Sequence, residues 1–124
     1  MPGFASLSIA SALKVASLNL CADEYLLLLA RPGEIASVTR LAHDPLESPL
    51  AGKARVYPAN SGSLEGVVGT RPDLILTMGG SGRSTALIAK RLGISTLDLP
   101  QPSNVGDVEA NLRKVAAALG DSRR

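Results

Sequence analysis

Short apolar runs alternate with polar turns along the chain, and their spacing predicts alternating strands and helices. The clearest run follows the turn at 71–73, where Leu74–Met78 are apolar almost without interruption. A continuous apolar run of this kind is typical of a strand buried on both faces of a sheet. Weaker runs predict further strands at 14–18, 35–38, 55–57 and 94–99.

The segments between these strands predict helices. The run from 22 to 30 carries Asp23 and Glu24 in its first turn, where negative charge stabilises the helix dipole. Further helices are expected at 64–70, with Ser63 as N-cap, and at 84–92 and 105–119. Strands that alternate with helices predict parallel βαβ units with right-handed crossovers. The expected fold is a single α/β lobe: a three-layer, doubly wound, mostly parallel sheet with helices on both faces.

Composition narrows the range of functions. A chain of 124 residues suffices for one domain. With one Phe, two Tyr and no Trp, few rings are available to stack on a single nucleic-acid strand. The net charge of +2 comes from scattered Lys and Arg residues that form no basic stripe. We therefore expect no nucleic-acid partner.

The amino-terminal segment 1–12 has two interpretations. It is mildly apolar and ends in Ala10-Ser11-Ala12, which resembles a signal-peptidase site, but no basic residue precedes Lys14. It is either the remnant of a signal peptide or a disordered tail. Elsewhere no apolar run approaches the roughly 18–20 residues that a transmembrane helix requires.

In a doubly wound sheet the ligand binds outside the carboxyl ends of the strands. The candidate segments are therefore 19–22, 39–46, 78–83 and 58–63. The stretch 39–54, which includes the second of these, is polar and contains proline, so it is expected to run over the surface.

The glycine-rich segment Gly79–Thr85 invites a comparison with phosphate-binding loops. Its glycine spacing fits neither a P-loop nor the dinucleotide fingerprint, and Arg83 stands where a P-loop has lysine. A turn or a general ligand loop is the favoured interpretation. The alternative is a small doubly wound enzyme or anion-binding domain that uses Gly79–Arg83.

Two further residues are candidates for chemistry. His43, the only histidine, lies beside Asp44, yet a metal site would need more ligands, so a solvated histidine is favoured over a ligand-facing one. Cys21 follows a strand at a helix start, where the dipole would lower its pKa. Since no histidine is reliably paired with this thiol, a nucleophile is not expected. The sequence predicts no catalytic residue, no metal site, no cofactor and no enzyme activity.

The order of several segments resembles the periplasmic substrate-binding proteins of ABC importers for iron-siderophores, heme and cobalamin. Lys14 to Leu26 resembles their opening strand and helix, and Ala42 to Pro45 their loop after the second strand. Ser63-Leu64-Glu65, leading into the strand at Pro72-Asp73-Leu74, resembles their most recurrent segment. Lys90 to Ile94 and the helix that ends at Gly120 continue the match, which spans about residues 14–120.

The resemblance implies one lobe of a two-lobed protein, with residues 13–120 as the amino-terminal substrate-binding lobe. Residues 121–124 would begin the connection to a carboxy-terminal lobe that this sequence lacks. The implied function is to bind a metal chelate in the periplasm and deliver it to an ABC permease. The expected partners are the chelate, the permease and the missing lobe. A sheet edge left exposed is expected to cause some self-association.

The resemblance also implies a set of site residues. Ligand contacts are expected at the strand-end loops, from Asn19, Leu20, Arg40, Leu41, His43, Met78, Gly79 and Arg83. Arg40 and Arg83 would pair with carboxylates or other anionic groups of a chelate. Met78 stands where some relatives have an aromatic residue. Glu65 matches the acidic residue with which the family docks onto arginines of the permease.

Overall fold

Five parallel strands form the sheet in the computed structural model, which describes residues 13–80 and 82–120. The strands are β1 (Val15–Ser17), β2 (Ile35–Thr39), β3 (Ala59–Asn60), β4 (Leu74–Met78) and β5 (Ser95–Leu99). Their order across the sheet is β3-β2-β1-β4-β5, so the first of the described strands lies at the centre. β1 pairs with β2 on one side and with β4 on the other.

Helices connect the strands on both faces. They are α1 (Leu20–Leu29), α2 (Ala51–Ala54), α3 (Arg83–Arg91) and α4 (Val105–Ala118), with 3-10 helices at Pro32–Glu34, Arg40–His43, Leu64–Gly66 and Val68–Thr70. The crossovers run outward from β1 in opposite directions, so their right-handedness places α1 and α3 on opposite faces. The fold is therefore doubly wound, as the sequence predicts. None of the described helices is both long and apolar enough to cross a bilayer.

The two faces of the sheet carry cores of unequal size. On one face α1 and α4 cover alternate residues of the strands, among them Val15, Leu74 and Leu76. On the other face Ala16 and Ile75 belong to a smaller cluster that Leu64 of a 3-10 helix and Val67, the residue between two 3-10 helices, complete. The period-two alternation along β4 thus divides one apolar run between two cores.

Several predicted elements differ from the structure. The strand expected at 55–57 is wrong: these residues form a turn after α2, Val56 is 76% exposed, and pairing begins only at Ala59. The helix expected at 64–70 consists of two 3-10 turns, and the Ser63 side chain caps neither. The stretch 39–54 is partly ordered, because one 3-10 helix and α2 bury Ala42, Ala51 and Ala54. The predicted tail 1–12 and connection 121–124 lie outside the described residues.

Candidate ligand-binding site

A cavity of about 500 Å³ opens at the carboxyl ends of β1, β2 and β3. The segments that follow these strands line it: Leu18, Asn19, Leu20, Thr39, Arg40, Leu41, Asn60, Ser61 and Gly62. This is the edge of a parallel sheet at which doubly wound folds bind their ligands. Four of the predicted ligand contacts, Asn19, Leu20, Arg40 and Leu41, meet here.

The first wall is the start of α1, which Asn19 caps. Its Oδ1 accepts hydrogen bonds from the backbone N–H groups of Cys21 (2.8 Å) and Ala22 (3.2 Å). These N–H groups would otherwise have no partner in the first turn of the helix. The Ser17 hydroxyl also donates to the Asn19 carbonyl at 3.1 Å. The side chain of Asn19 thus places this wall.

The second wall is the 3-10 helix Arg40–His43, which Asp23 fastens to α1. The Asp23 carboxylate is fully buried and accepts the Thr39 backbone N–H at 3.0 Å and the Thr39 hydroxyl at 2.5 Å. Thr39 immediately precedes Arg40, so these bonds hold the start of the 3-10 helix. Burial raises the pKa of Asp23 to about 6, the bonds from Thr39 and Ser17 oppose this rise, and the charge of Glu24 adds to it.

The third wall depends on Asn60, a buried residue at the end of β3. Its Nδ2 donates to the Ser17 carbonyl at 2.9 Å and to the Ser37 hydroxyl at 2.8 Å. Its Oδ1 accepts the backbone N–H of Gly62 at 2.8 Å. One carboxamide therefore connects three neighbouring strands and shapes the turn that carries Ser61. The role of Asn60 is not predictable from the sequence, because an Asn before Ser-Gly indicates only a turn.

The chemistry of the cavity is mixed. Arg40 is exposed and forms no ion pair with any residue that the structure describes. Leu41, beside it, is 49% exposed, and Leu18 and Leu20 add apolar surface. Apolar walls with a few convergent polar groups are typical of small-molecule sites. A guanidinium among them favours an organic anion.

The remaining predicted contacts on β4 and α3 do not line this cavity. The Met78 side chain is only 3% exposed and packs in the larger core, which argues against a side-chain contact with ligand. The Gly79 N–H donates to the Leu99 carbonyl, and the Gly80 N–H donates to the Asp98 carboxylate, both at 2.8 Å. Arg83 begins α3 and is exposed.

The Gly79–Arg83 loop is therefore a poor anion cradle. Two of its N–H groups already have partners, and one of these partners is a carboxylate. Asp98 also accepts the Thr77 hydroxyl at 2.6 Å, so it is held beside the loop. A fixed negative charge there opposes an incoming anion. This geometry weighs against the alternative in which the loop binds phosphate.

His43 and Cys21 lie close to the cavity in sequence but do not line it. His43 ends the 3-10 helix, and its buried Nε2 has no hydrogen-bond partner among the residues that the structure describes. Within residues 13–80 and 82–120 there is no group of three or more His, Cys, Asp or Glu side chains that could hold a metal ion. The expectation of a lowered pKa for Cys21 is wrong. Burial of the thiol is the main cause that raises its pKa, and the charges of the neighbouring Glu24 and Asp23 raise it further.

Glu65 is exposed on the 3-10 helix Leu64–Gly66. The buried Leu64 anchors this turn in the smaller core. Since Gly62 belongs to the cavity, Glu65 lies a short way along the chain from the third wall. The residue is thus available to a partner protein without being part of the cavity.

A doubly wound sheet with an open, mixed polar and apolar cavity at its carboxyl edge is the arrangement typical of small-molecule-binding lobes. The sequence profile of the periplasmic binding protein family matches residues 15–124. The chain belongs to this family. Among curated proteins, none matches the sequence.

Solved structures share the fold at low sequence identity. A periplasmic heme-binding protein from Pseudomonas aeruginosa has 19% identity and a TM-score of 0.66, with 89% of this chain and 39% of that chain covered. Periplasmic heme-binding protein RhuT from Roseiflexus sp. RS-1 has 20% identity and a TM-score of 0.73, with 91% and 43% covered. CeuE of Helicobacter pylori with Ni(II) bound has 18% identity and a TM-score of 0.65, with 89% and 38% covered. The chain thus spans about two fifths of the length of these proteins.

Proposed function

We propose that this chain is the amino-terminal lobe of the substrate-binding component of an ABC importer. It binds a metal chelate, of the iron-siderophore, heme or cobalamin class, and presents it to a membrane permease without making or breaking a bond. The observation that carries the proposal is the cavity at the ends of β1, β2 and β3, lined by Arg40. The periplasm is the compartment named for the family and for the similar structures.

The cavity suits such a ligand chemically. Metal chelates of these classes combine a broad organic surface with anionic or polar groups. Leu20 and Leu41 provide apolar contact, and the Arg40 guanidinium can pair with two oxygens of one carboxylate. Three of the structurally similar proteins, from Pseudomonas, Roseiflexus and Vibrio, are named as heme-binding, which supports heme as the first ligand to test.

One lobe supplies only part of a clamp. Binding by this lobe alone is expected to be weak, because a drug-sized ligand usually has most of its surface buried in its site. The second lobe of the proposed protein would cover the opposite face of the ligand.

The exposed Glu65 is proposed to dock on arginines of the permease. Glu65→Lys should therefore abolish transport with a cognate permease, whereas Glu47→Lys, at another exposed glutamate, should not.

Ligand titration of three forms of the protein tests the proposed site. Hemin, a ferric siderophore and cyanocobalamin are titrated against the wild type, Arg40→Ala and Arg83→Ala by absorbance or fluorescence. We expect saturable binding of one ligand and a loss of roughly ten-fold in affinity for Arg40→Ala, because a charge-assisted contact is removed. Arg83→Ala is the matched control, since Arg83 is exposed but does not line the cavity.

The other outcomes decide between alternatives. If Arg83→Ala weakens binding and Arg40→Ala does not, the ligand binds at the Gly79–Arg83 loop instead. If inorganic phosphate or a nucleotide saturates the wild type and no chelate does, the anion-binding alternative replaces the proposal. If none of these probes binds even to the two-lobed protein, in which this lobe is joined to its carboxy-terminal lobe, the proposal is refuted.

A further inference from the structure

The fold collects basic side chains at one edge of the sheet, although they are scattered along the sequence. All five described strands are parallel, so their starts lie at a common amino edge, opposite the edge that holds the cavity. Each strand is preceded, within four residues, by an exposed Lys or Arg. These residues are Lys14, Arg31, Arg55, Arg71 and Arg91.

Charge is thus segregated between the two edges. Lys53 of α2 and Lys90 of α3 are also exposed, in the segments that lead to β3 and β5. The amino edge therefore holds seven of the eleven basic residues that the structure describes, against two of the ten acidic ones, Glu34 and Asp73. The rest of the described molecule has more acidic than basic residues.

The positive charge of the amino edge is only partly balanced from within. Glu34 pairs with Arg31, but none of the other six basic residues forms an ion pair with a described carboxylate. Compensation of a helix dipole accounts for Lys90 and Arg91 in the last turn of α3, but not for Arg71, which follows a 3-10 turn. Like charges on one surface repel one another, so this edge is complementary to an anionic partner.

Exposed apolar side chains lie beside two of these basic residues. Val56 directly follows Arg55 and is largely exposed, and Leu92 directly follows Arg91 and is about half exposed. Both lie in turns that lead to the outer strands of the sheet, so they stand at the two ends of the amino edge. Basic residues next to exposed apolar side chains are typical of surfaces that rest on the headgroups of a bilayer.

The width of the amino edge favours an extended partner over a small anion. Five strands that lie about 4.8 Å apart spread the basic residues over roughly 20 Å. A cavity of about 370 Å³ at this edge is lined by both Arg71 and Asp73, so a small anion there would meet a carboxylate. The basic residues therefore match a broad anionic surface.

We propose that the amino edge of this lobe binds reversibly to the surface of a bilayer that contains anionic lipids. The basic residues contact the headgroups, and Val56 and Leu92 reach the boundary between headgroups and acyl chains. The cavity lies at the opposite edge, so it faces away from the bilayer and stays open to a ligand in solution. The inference goes beyond the proposed transport function and does not depend on it.

Co-sedimentation with lipid vesicles tests the binding. The native chain should bind to vesicles made of equal parts of phosphatidylglycerol and phosphatidylcholine, and not to vesicles of phosphatidylcholine alone. Raising the salt concentration from about 0.05 M to about 0.5 M should release it, because salt screens exposed charges. Equal binding to both kinds of vesicle, or no binding to either at low salt, refutes the proposal.

Charge reversal at each edge tests which surface binds. A basic residue near an anionic surface contributes a factor of about five to the partition coefficient, so Arg55→Glu with Arg91→Glu should weaken vesicle binding by roughly 25-fold or more. Arg40→Glu with Arg83→Glu is the matched control, because it changes the net charge equally at the opposite edge and should leave vesicle binding nearly unchanged. All four side chains are exposed, so neither pair disturbs the core. Equal losses from the two pairs would show that net charge alone attracts the vesicles, which overturns the proposal.

Single tryptophan reporters test the contact itself, because the chain has no Trp. The emission of Val56→Trp should shift to the blue on anionic vesicles, since the indole enters the headgroup region. Leu46→Trp, at a largely exposed position in the turn after the 3-10 helix Arg40–His43, is the control and should not shift. If polyglutamate binds through Arg55 and Arg91 and vesicles do not, the partner is an acidic protein and the proposal is overturned.

Discussion

Asp23 shows how two adjacent carboxylates in one helical turn can differ in environment. The sequence predicts the same role for Asp23 and Glu24, compensation of the α1 dipole. The fold instead buries Asp23 completely against Thr39 and leaves Glu24 half-buried, where it accepts a hydrogen bond from Ser48 at 3.2 Å. The pKa of Asp23 is raised rather than lowered. The effect of burial on this pKa is therefore larger than the opposing effects of the helix dipole and of the bonds to Thr39.

The stability of the lobe should depend on pH through Asp23. Its pKa rises from 3.8 to about 6 on folding, so the folded state favours the protonated acid. The stabilisation is fully present below pH 4 and is lost as the pH rises through about 6. Relative to Asp23→Asn, the free energy of unfolding of the wild type should fall by about 3 kcal/mol over this range. Urea unfolding of both forms at several pH values measures this difference, and a difference independent of pH would contradict the account.

At the scale of elements, the site lies at the ends of three strands that one buried carboxamide connects. β3 has only two residues and few ladder bonds of its own. Asn60 compensates by bonding to Ser17 at the end of β1 and to Ser37 in β2. The third wall of the cavity thus depends on one side chain more than on the backbone ladder.

Replacement of Asn60 by alanine should therefore weaken the fold and the site together. The variant loses three hydrogen bonds and leaves the buried Ser17 carbonyl and the Gly62 N–H without these partners. We expect the free energy of unfolding to fall by about 2–4 kcal/mol. Asn104→Ala, which removes the exposed cap of α4, is the matched control and should lose only about 1 kcal/mol. Equal losses for the two variants in urea would show that Asn60 is an ordinary turn residue.

The sequence predicted the elements whose signal is local. The apolar run at Leu74–Met78 and the periodicity of α4 lie within two residues of their observed bounds. The strand at 55–57 was wrong because three residues carry too little pattern to distinguish a strand from a turn. The sequence predicted which edge of the sheet carries the candidate site. It did not predict the roles of Asp23 and Asn60, since these roles depend on partners distant in the sequence.

The whole molecule is asymmetric between its two faces. The face covered by α1 and α4 holds the larger core, with Leu26, Leu27 and Val115 fully or almost fully buried. On the opposite face, Ala89 is the only described residue of α3 that is buried, while Leu87 and Ile88 are exposed. Local stability is expected to follow this distribution of buried apolar contacts.

Amide hydrogen exchange should show this asymmetry. The slowest exchange is expected in β1, β4 and α1, which lie at the centre of the larger core. The amides of α3 should exchange faster by at least ten-fold, because their protection depends on few buried contacts. Amide exchange rates of the native chain, measured by NMR or mass spectrometry, test this difference between α3 and the larger core. Equal protection of α1 and α3 would show that the smaller core is as cohesive as the larger one.

The central position of β1 also has a consequence for the newborn polypeptide. Lys14 at the start of β1 donates its N–H to Asp73, a residue 59 positions later. A ribosome adds about 5–20 residues per second, so β1 is synthesised roughly 3–12 seconds before its neighbour β4. During that interval the emerging chain cannot close its sheet. A nascent chain whose sheet forms late stays unfolded for longer. It remains accessible to chaperones and to a translocation channel that accepts only unfolded polypeptide.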